Sequence, residues 1–203
     1  MTPSAALGAD LKVRVVVGIG LIVLAVAGIA VGGMIFSLFA GACGLLMLSE
    51  WAGMHHISRR WTVIGLLLVA MPIVLLPAYI TVPELRLFHA WALLAGSGLL
   101  LAIAARRPML LAGVLYVGLP TVPPVWVRSP PGGGEWVLWT LAIVWATDIF
   151  AYFAGRAIGG RRLSPRISPN KTWGGLVGGT AAASIVAWWL ADYFALPDWC
   201  AAA

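Results

Sequence analysis

Apolar runs of near-spanning length recur along the chain, and short polar segments separate them. A membrane-spanning helix needs about 20 mainly apolar residues, because the hydrocarbon layer is about 30 Å thick and each helical residue rises about 1.5 Å. The pattern predicts about seven spans: Val13–Val31, Met34–Ser49, Trp61–Tyr79, Phe88–Ala104, Met109–Val127, Trp136–Arg156 and Thr172–Phe194. We therefore predict an all-α fold, a polytopic transmembrane helix bundle in which residues 1–203 form one integral membrane domain.

The composition supports a membrane protein over a soluble one. Hydrophobic residues make up 62% of the 203 positions, and charged residues make up only 10%. A soluble domain carries roughly a quarter charged residues, so this chain has too few to cover a soluble globule. The two cysteines, Cys43 and Cys200, belong to no CxxC pair and indicate neither a disulfide nor a zinc site.

The basic residues segregate to alternate connections, which predicts the orientation. With the N-terminus in the cytoplasm, the outer loops hold only Arg86 and Arg128 of the 13 basic residues. Such a Lys/Arg bias in short loops sets the topology of membrane proteins. We therefore predict a cytoplasmic N-terminus, and we interpret the net charge of +6 as a topology signal that requires no nucleic-acid partner. The predicted inner basic residues are Lys12, Arg14, Arg59, Arg60, Arg106, Arg107, Arg156, Arg161, Arg162, Arg166 and Lys171.

Prolines and glycines predict the outer loop before the sixth span. Pro123, Pro124, Pro130 and Pro131 lie close together and are followed by three glycines at 132–134. We predict that these prolines and glycines make the outer loop before the sixth span, a place where a membrane chain tolerates prolines. Arg128 lies in the same stretch.

Asp148 is the only acidic residue well inside a predicted span. A charged side chain at such a depth costs about 2.5–3.5 kcal/mol on insertion scales and often marks a functional site. The residue lies about 12 Å from the helix end at Arg156, and Tyr152 at i+4 and Gly155 at i+7 share its face. Two interpretations stay open: the stripe lines a polar cleft open to the cytoplasm, or Asp148 is a structural residue hydrogen-bonded to a neighbouring helix.

The segment from Arg156 to Lys171 is a basic connection without any acidic residue. One interpretation is an inner loop beside anionic lipid headgroups, and another is a phosphate-binding site. Ser168-Pro169 predicts a helix start, because Ser is a good N-cap and Pro suits the first helical position. Lys171 and Thr172 would then lie in the first turn, where free N–H groups favour an anion, although simple capping explains the same residues.

Two pairs of glycines follow this predicted helix start. Gly174/Gly178 and Gly175/Gly179 are small-xxx-small pairs. Such pairs let helices approach closely in lipid, so we assign them to helix packing.

The segment around these residues resembles the core of a known family. WATDIFAYFAGR (145–156), followed by GGRRLSPRISPNKTWGG (159–175), is similar to the core of bacterial phosphatidate cytidylyltransferases, or CDP-diacylglycerol synthases. Weaker similarity extends to residues 11–14, 50–51 and 116–119. The resemblance implies nucleotidyl transfer from CTP to phosphatidate, giving CDP-diacylglycerol and pyrophosphate in phospholipid biosynthesis at the bacterial inner membrane.

The resemblance also implies a cofactor, partners and site residues. The cofactor is Mg²⁺, with Asp148 as a metal ligand and Asp148 and Lys171 as catalytic residues. The implied partners are CTP, phosphatidate and anionic membrane lipid, and a homodimer is a further expectation. The implied substrate-binding residues are Tyr152, Arg156, Arg161, Arg162, Arg166, Ser168 and Thr172.

The family's C-terminal signature, with its Lys-Asp and Asp-Arg-x-Asp elements, does not occur before Ala203. We therefore expect residues 1–203 to be the N-terminal part of a longer family fold, and to make no CDP-diacylglycerol by themselves. Two alternatives from other classes are a small membrane transporter or channel, with Asp148 as its ion or coupling site, and a non-catalytic membrane scaffold.

Overall fold

The computed structural model describes residues 3–79 and 83–197. The described chain forms seven helices and one small hairpin. The elements are α1 (Pro3–Val31), α2 (Gly33–Met54), α3 (Arg59–Tyr79), α4 (Pro83–Ala105), α5 (Met109–Arg128), α6 (Gly133–Ala157), β1 (Arg162–Ser164), β2 (Ser168–Thr172) and α7 (Trp173–Tyr193).

The predicted spans are confirmed as helices. The first six lie within α1 to α6, and the seventh extends one residue beyond α7 at each end. Among the described residues, α2, Phe88–Ala105 of α4, α5, α6 and α7 are long and apolar enough to cross a membrane, and Val15–Val31 is a shorter apolar helical stretch. The chain is therefore an all-α polytopic membrane protein, with a hairpin that the pattern did not predict. Its orientation stays a prediction, and the side chains of Lys12, Arg14, Arg86 and Cys200 lie outside the described residues.

The backbone divides into two compact units, of which the first ends at Gly134 and the second begins at Glu135. In the first unit, α5 lies against α2, α3 and α4. Small residues allow this packing: a side-chain carbon placed on Gly44 would lie 2.9 Å from Thr121 Cγ2, and one on Gly98 would lie 3.0 Å from Leu111 Cδ1. The single-domain prediction for residues 1–203 stays a prediction.

Helix α2 extends beyond the predicted span, which ended at Ser49. It continues to Met54, and Ala52 is buried. The Trp51 indole Nε1 donates a hydrogen bond of 2.9 Å to the Met109 carbonyl at the start of α5, and the Trp51 ring stacks on His55. Tertiary contacts therefore keep residues 50–54 helical, although the polar residues at 49 and 50 indicated that the span ended there.

The prediction that Pro123 and Pro124 belong to a loop is wrong. Both lie inside α5, as does Pro120, and the helix continues to Arg128. Val122 and Val125, which flank the two prolines in the sequence, are both buried. Prolines are tolerated inside membrane helices because neighbouring helices hold the segment in place, and here that packing outweighs the lost N–H donors.

Arg128 has a partner that the sequence did not reveal. Its Nε donates a hydrogen bond of 2.7 Å to the Ile29 carbonyl, in the last turn of α1. Helix C-termini leave their last carbonyls without intrahelical partners, so a guanidinium there satisfies one of them. Arg128 therefore ties the end of α5 to the end of α1.

Candidate functional site

Helices α6 and α7 of the second unit approach each other along a stripe of small residues. A side-chain carbon placed on Gly175 would lie 2.8 Å from the Ala151 carbonyl, and one on Gly179 would lie 2.9 Å from the Thr147 carbonyl. A carbon on Gly178 would overlap Ala154. The prediction that these glycines pack helices is confirmed, and we call this contact the α6–α7 seam.

A hairpin connects the two helices of the seam. β1 and β2 pair antiparallel, with Arg162 opposite Thr172 and Ser164 opposite Ser168, and the register shifts between these two pairs. Gly159 and Gly160 precede β1 with φ values of 63° and 90°. Glycine adopts such angles without strain, so this pair allows the chain to turn out of α6 into the basic hairpin.

The prediction that Ser168 caps the seventh helix is wrong. Ser168 begins β2, and the cap is Thr172, whose side-chain oxygen accepts a hydrogen bond of 3.1 Å from the Gly175 N–H. Lys171 consequently lies on β2 rather than in the first helical turn. The reason is the strand pairing, which keeps residues 168–172 extended until Thr172 can supply the cap.

Asp148 lies on the exposed side of α6 beside the seam. The carbonyl of the preceding residue, Thr147, faces Gly179 across the seam. Asp148 therefore lies on the side of α6 next to the seam, and its side chain is exposed. Tyr152, one turn further, is also exposed, and its hydroxyl accepts a weak hydrogen bond of 3.4 Å from Arg156 Nη1. A structural role for Asp148 would require a hydrogen bond to a neighbouring helix. Within the described residues no hydrogen bond reaches its carboxylate.

Gly155, the third member of the predicted stripe, belongs to the seam itself. A side-chain carbon placed on it would lie 3.1 Å from Thr172 Oγ1. The stripe therefore runs from exposed Asp148 to the foot of the hairpin, where the Thr172 cap lies. The sequence also leads us to predict that Asp148, Ser168 and Lys171 converge on one cytoplasm-facing cleft, and this stays a prediction. In the structure Ser168 is half-buried in the hairpin, and Lys171 is exposed.

The hairpin brings two of the predicted arginines into one pocket. The pocket has a volume of about 350 Å³. Its lining residues are Arg161, Arg162, Leu163, Pro165 and Trp173. Leu163, Pro165 and Trp173 were not among the predicted site residues. Only the pairing of β1 with β2 brings Trp173 close to residues about ten positions earlier in the chain.

The hairpin is strongly cationic. Arg161, Arg162, Arg166 and Lys171 are exposed, as is Arg156 in the last turn of α6, and the sequence has no acidic residue from 149 to 191. Unneutralised charges of one sign raise the local concentration of oppositely charged ligands. The hairpin is therefore suited to a polyanion such as a phosphate ester.

Asp148 can contribute one carboxylate to a metal ion. Among the described residues, no three His, Cys, Asp or Glu side chains come together as a metal cage. Mg²⁺ seldom needs one, because one or two carboxylates, substrate phosphates and waters usually complete its octahedral shell. A single exposed carboxylate on the helix that leads into a cationic hairpin fits an ion that binds together with a triphosphate.

These features define a polytopic membrane protein with a phosphate-suited cationic hairpin between two closely packed helices. Comparison with known proteins then identifies it further. The model of the Cytidylyltransferase family matches residues 12–202, so the chain belongs to that family.

Curated relatives agree with the family match. The chain is 37% identical over 156 residues to the phosphatidate cytidylyltransferase of Brucella abortus, covering 75% of this chain and 57% of the relative. It is 29% identical over 192 residues to the phosphatidate cytidylyltransferase of Pseudomonas aeruginosa, covering 84% of this chain and 67% of the relative. The chain thus spans a little over half the length of the Brucella protein. No solved structure matches the chain significantly.

Proposed function

We propose that the protein carrying this chain transfers the cytidylyl group of CTP to phosphatidate, forming CDP-diacylglycerol and pyrophosphate for phospholipid synthesis. The observation that supports this most is the cationic hairpin, in which Arg161 and Arg162 line one pocket at the end of the α6–α7 seam. Membership in the Cytidylyltransferase family and the names of its relatives agree with the proposal.

The chemistry requires charge neutralisation more than proton abstraction. A phosphate oxygen of phosphatidate attacks the α-phosphorus of CTP. The bond from that phosphorus to the oxygen bridging the α- and β-phosphates then breaks, and pyrophosphate leaves with the electron pair. A phosphate monoester has a second pKa of about 6, so the nucleophile is largely dianionic at neutral pH without a strong general base.

The residues of the second unit supply the positive charge. The guanidinium groups of Arg161 and Arg162 can each bind phosphate oxygens through two parallel N–H bonds. Lys171 on β2 and Arg166 at the hairpin turn add cations that hold the triphosphate or the lipid phosphate. In this proposal Thr172, Ser168, Tyr152 and Arg156 position the ends of the hairpin and of α6 around the substrates.

Asp148 is the residue that would hold Mg²⁺. When bound, the ion neutralises the developing charge on the phosphate oxygens. The Asp148 side chain lies on the exposed side of α6, about two turns before the helix leads into the cationic hairpin. In this proposal α6 offers a carboxyl group for the cation, and the hairpin that follows it offers arginines and a lysine for the phosphates.

The location follows from the substrates. CTP is water-soluble and phosphatidate is a bilayer lipid, so the site must lie at a membrane surface. We place the hairpin at the cytoplasmic side of a bacterial inner membrane, where anionic lipid also favours its cations. The homodimer expected from the sequence is kept as a proposal, to be tested by the mass of the detergent-solubilised protein.

A direct assay tests the function. The full-length protein that contains these residues is purified in detergent and given Mg²⁺, phosphatidate and CTP labelled in its α-phosphate. We expect label to appear in the lipid fraction only when phosphatidate is present. Absence of lipid label from correctly folded protein would overturn the proposal, and ion or solute flux in proteoliposomes would favour the transporter alternative.

Paired variants connect the activity to the hairpin. Arg161→Ala combined with Arg162→Ala should raise the KM for CTP strongly, because both cations of the pocket are lost. Arg106→Ala combined with Arg107→Ala is the matched control, since these adjacent exposed arginines belong to another predicted inner connection. Equal effects of the two pairs would show that the hairpin cations have no special role.

A further inference from the structure

Trp173 presents an aromatic surface that helix packing does not use. It is the first residue of α7, and its side chain is 51% exposed. Trp173 lines the same pocket as Arg161 and Arg162. A pocket lined by an exposed Trp and two arginines can offer a flat apolar surface together with phosphate-binding groups.

The position of Trp173 relative to the arginines is fixed by the backbone. The Trp173 N–H donates a hydrogen bond of 3.0 Å to the Arg161 carbonyl, and Arg162 is the register partner of Thr172. At the same point, a side-chain carbon on Gly174 would lie 2.8 Å from the Gly159 carbonyl. The base of the hairpin is therefore tightly packed, and the pocket wall is largely preformed.

We propose that this pocket is the nucleotide subsite, in which the pyrimidine ring of CTP stacks on Trp173 while Arg161 and Arg162 bind its phosphates. Leu163 and Pro165 form the remaining apolar wall. The proposal rests on the proposed function and assigns the base to a residue that the family resemblance and the sequence pattern left without a role. Stacking of a base on an aromatic side chain contributes about 1–3 kcal/mol in other proteins.

The pocket suits a nucleotide better than a lipid headgroup. It belongs to the hairpin rather than to the helix faces, and two of its five lining residues are arginines. Its volume of about 350 Å³ is within the range of small-molecule sites, at about 300–1,000 Å³. Phosphatidate offers a phosphate but no ring, and its acyl chains need the apolar sides of membrane helices.

Binding measurements separate recognition of the base from recognition of the phosphates. Titration calorimetry of the full-length protein in detergent compares CTP with inorganic triphosphate, which has the charge but no base. Trp173→Ala should weaken CTP binding by about 5- to 150-fold and leave triphosphate binding unchanged. Trp173→Phe should keep most of the CTP affinity, because it retains an aromatic face.

The controls isolate the proposed contact. Trp188→Ala removes another exposed Trp from the same helix, at 59% exposure, and should leave both affinities unchanged. Combining Arg161→Ala with Arg162→Ala should weaken CTP and triphosphate alike. Retention of phosphatidate in lipid nanodiscs is measured in parallel and should not respond to Trp173→Ala.

Each other outcome overturns the assignment in a recognisable way. Unchanged CTP affinity in Trp173→Ala would remove the stacking role while leaving the cytidylyl-transfer proposal intact. Equal losses for CTP and triphosphate would show that the substitution disturbs the hairpin, and reduced phosphatidate retention alone would make the pocket a lipid headgroup site. A wild-type protein that binds neither CTP nor triphosphate would instead contradict the proposed function itself.

Discussion

Thr172 joins two kinds of local structure at one residue. It ends β2 in an extended conformation, with φ of −118° and ψ of 157°, and its hydroxyl oxygen accepts from the Gly175 N–H. The same oxygen lies beside Gly155, where no side chain intervenes. The residue therefore sets both the first turn of α7 and the distance between the hairpin and α6.

Replacing Thr172 by Ala should lower the free energy of unfolding by about 0.5–2 kcal/mol, the usual loss for an N-cap. Thr172→Ser keeps the oxygen and should be close to wild type. Thermal unfolding in detergent checks both, and Thr180→Ala, at an exposed position within α7, is the control. Equal stability of Thr172→Ala and wild type would mean that the observed cap does not stabilise α7.

Substitutions of Asp148 and of Lys171 should change different kinetic constants of the full-length protein. Asp148→Asn keeps the shape but removes the proposed metal-binding charge, so we expect kcat to fall by at least about 10- to 100-fold. Lys171→Ala should mainly weaken substrate binding, by about 1.5–3 kcal/mol if the ammonium makes a charge-assisted hydrogen bond. Steady-state kinetics for each substrate separate the two effects.

The kinetics are normalised to folded protein, because a packing role for Asp148 would reduce the yield rather than the turnover. Near-normal turnover of Asp148→Asn would end its assignment as a metal ligand. A Lys171→Ala variant with unchanged KM values for both substrates would remove this lysine from the binding site.

At the scale of elements, the α6–α7 seam determines where the site residues lie. Thr147, Ala151 and Ala154 of α6 meet the glycines of α7 at backbone distance. This contact leaves Asp148 and Tyr152 on the exposed stripe beside it. The hairpin occupies the fifteen residues, 158–172, that connect the two helices of the seam.

Gly178→Ala should separate the two helices, because the added carbon overlaps Ala154. We expect a loss of about 1–3 kcal/mol in unfolding free energy, the usual cost of overpacking. Gly96→Ala in α4 is the matched control, since nothing lies within 4 Å of its added carbon. That control should be neutral or slightly stabilising, because Ala favours a helix over Gly. A stable Gly178→Ala variant with unchanged activity would contradict the close seam.

For the whole molecule, the distribution of basic residues predicts the orientation. Two positions on either side of α6 test it: Pro131, before the helix, and Arg162, in the hairpin after it. Pro131 is preferable to Arg128 as the outer position, because Arg128 is bound to the Ile29 carbonyl. Cys43 and Cys200 are first replaced by Ser, and single cysteines are then introduced.

A membrane-impermeant thiol reagent should label Pro131→Cys in intact spheroplasts and Arg162→Cys only in inverted vesicles. The physical reason is the excess of Lys and Arg in the predicted inner connections. Labelling of Arg162→Cys from the outside would reverse the orientation. Labelling of both positions from the same side would show that α6 does not span the membrane.

The sequence by itself determined the features that depend on local composition. Lipid requires long apolar helices, so the runs of hydrophobic residues located all seven helices. The predicted ends agree to within a few residues, except that α1 and α4 begin earlier and α2 ends later than the predicted spans. The small-residue pairs of α7 correctly indicated close packing, since a missing side chain is visible in the sequence. The basic character of residues 156–171 and the family could likewise be recognised from consecutive residues.

Only the tertiary structure decided the features that depend on residues distant in sequence. Packing against other helices kept Pro123 and Pro124 inside α5, and a hydrogen bond from Trp51 to Met109 extended α2. Strand pairing moved the cap from Ser168 to Thr172 and placed Trp173 beside Arg161. Local preferences for caps and strands differ by about 1 kcal/mol, and a proline inside a helix costs about 3 kcal/mol, so long-range contacts of similar or greater strength override them.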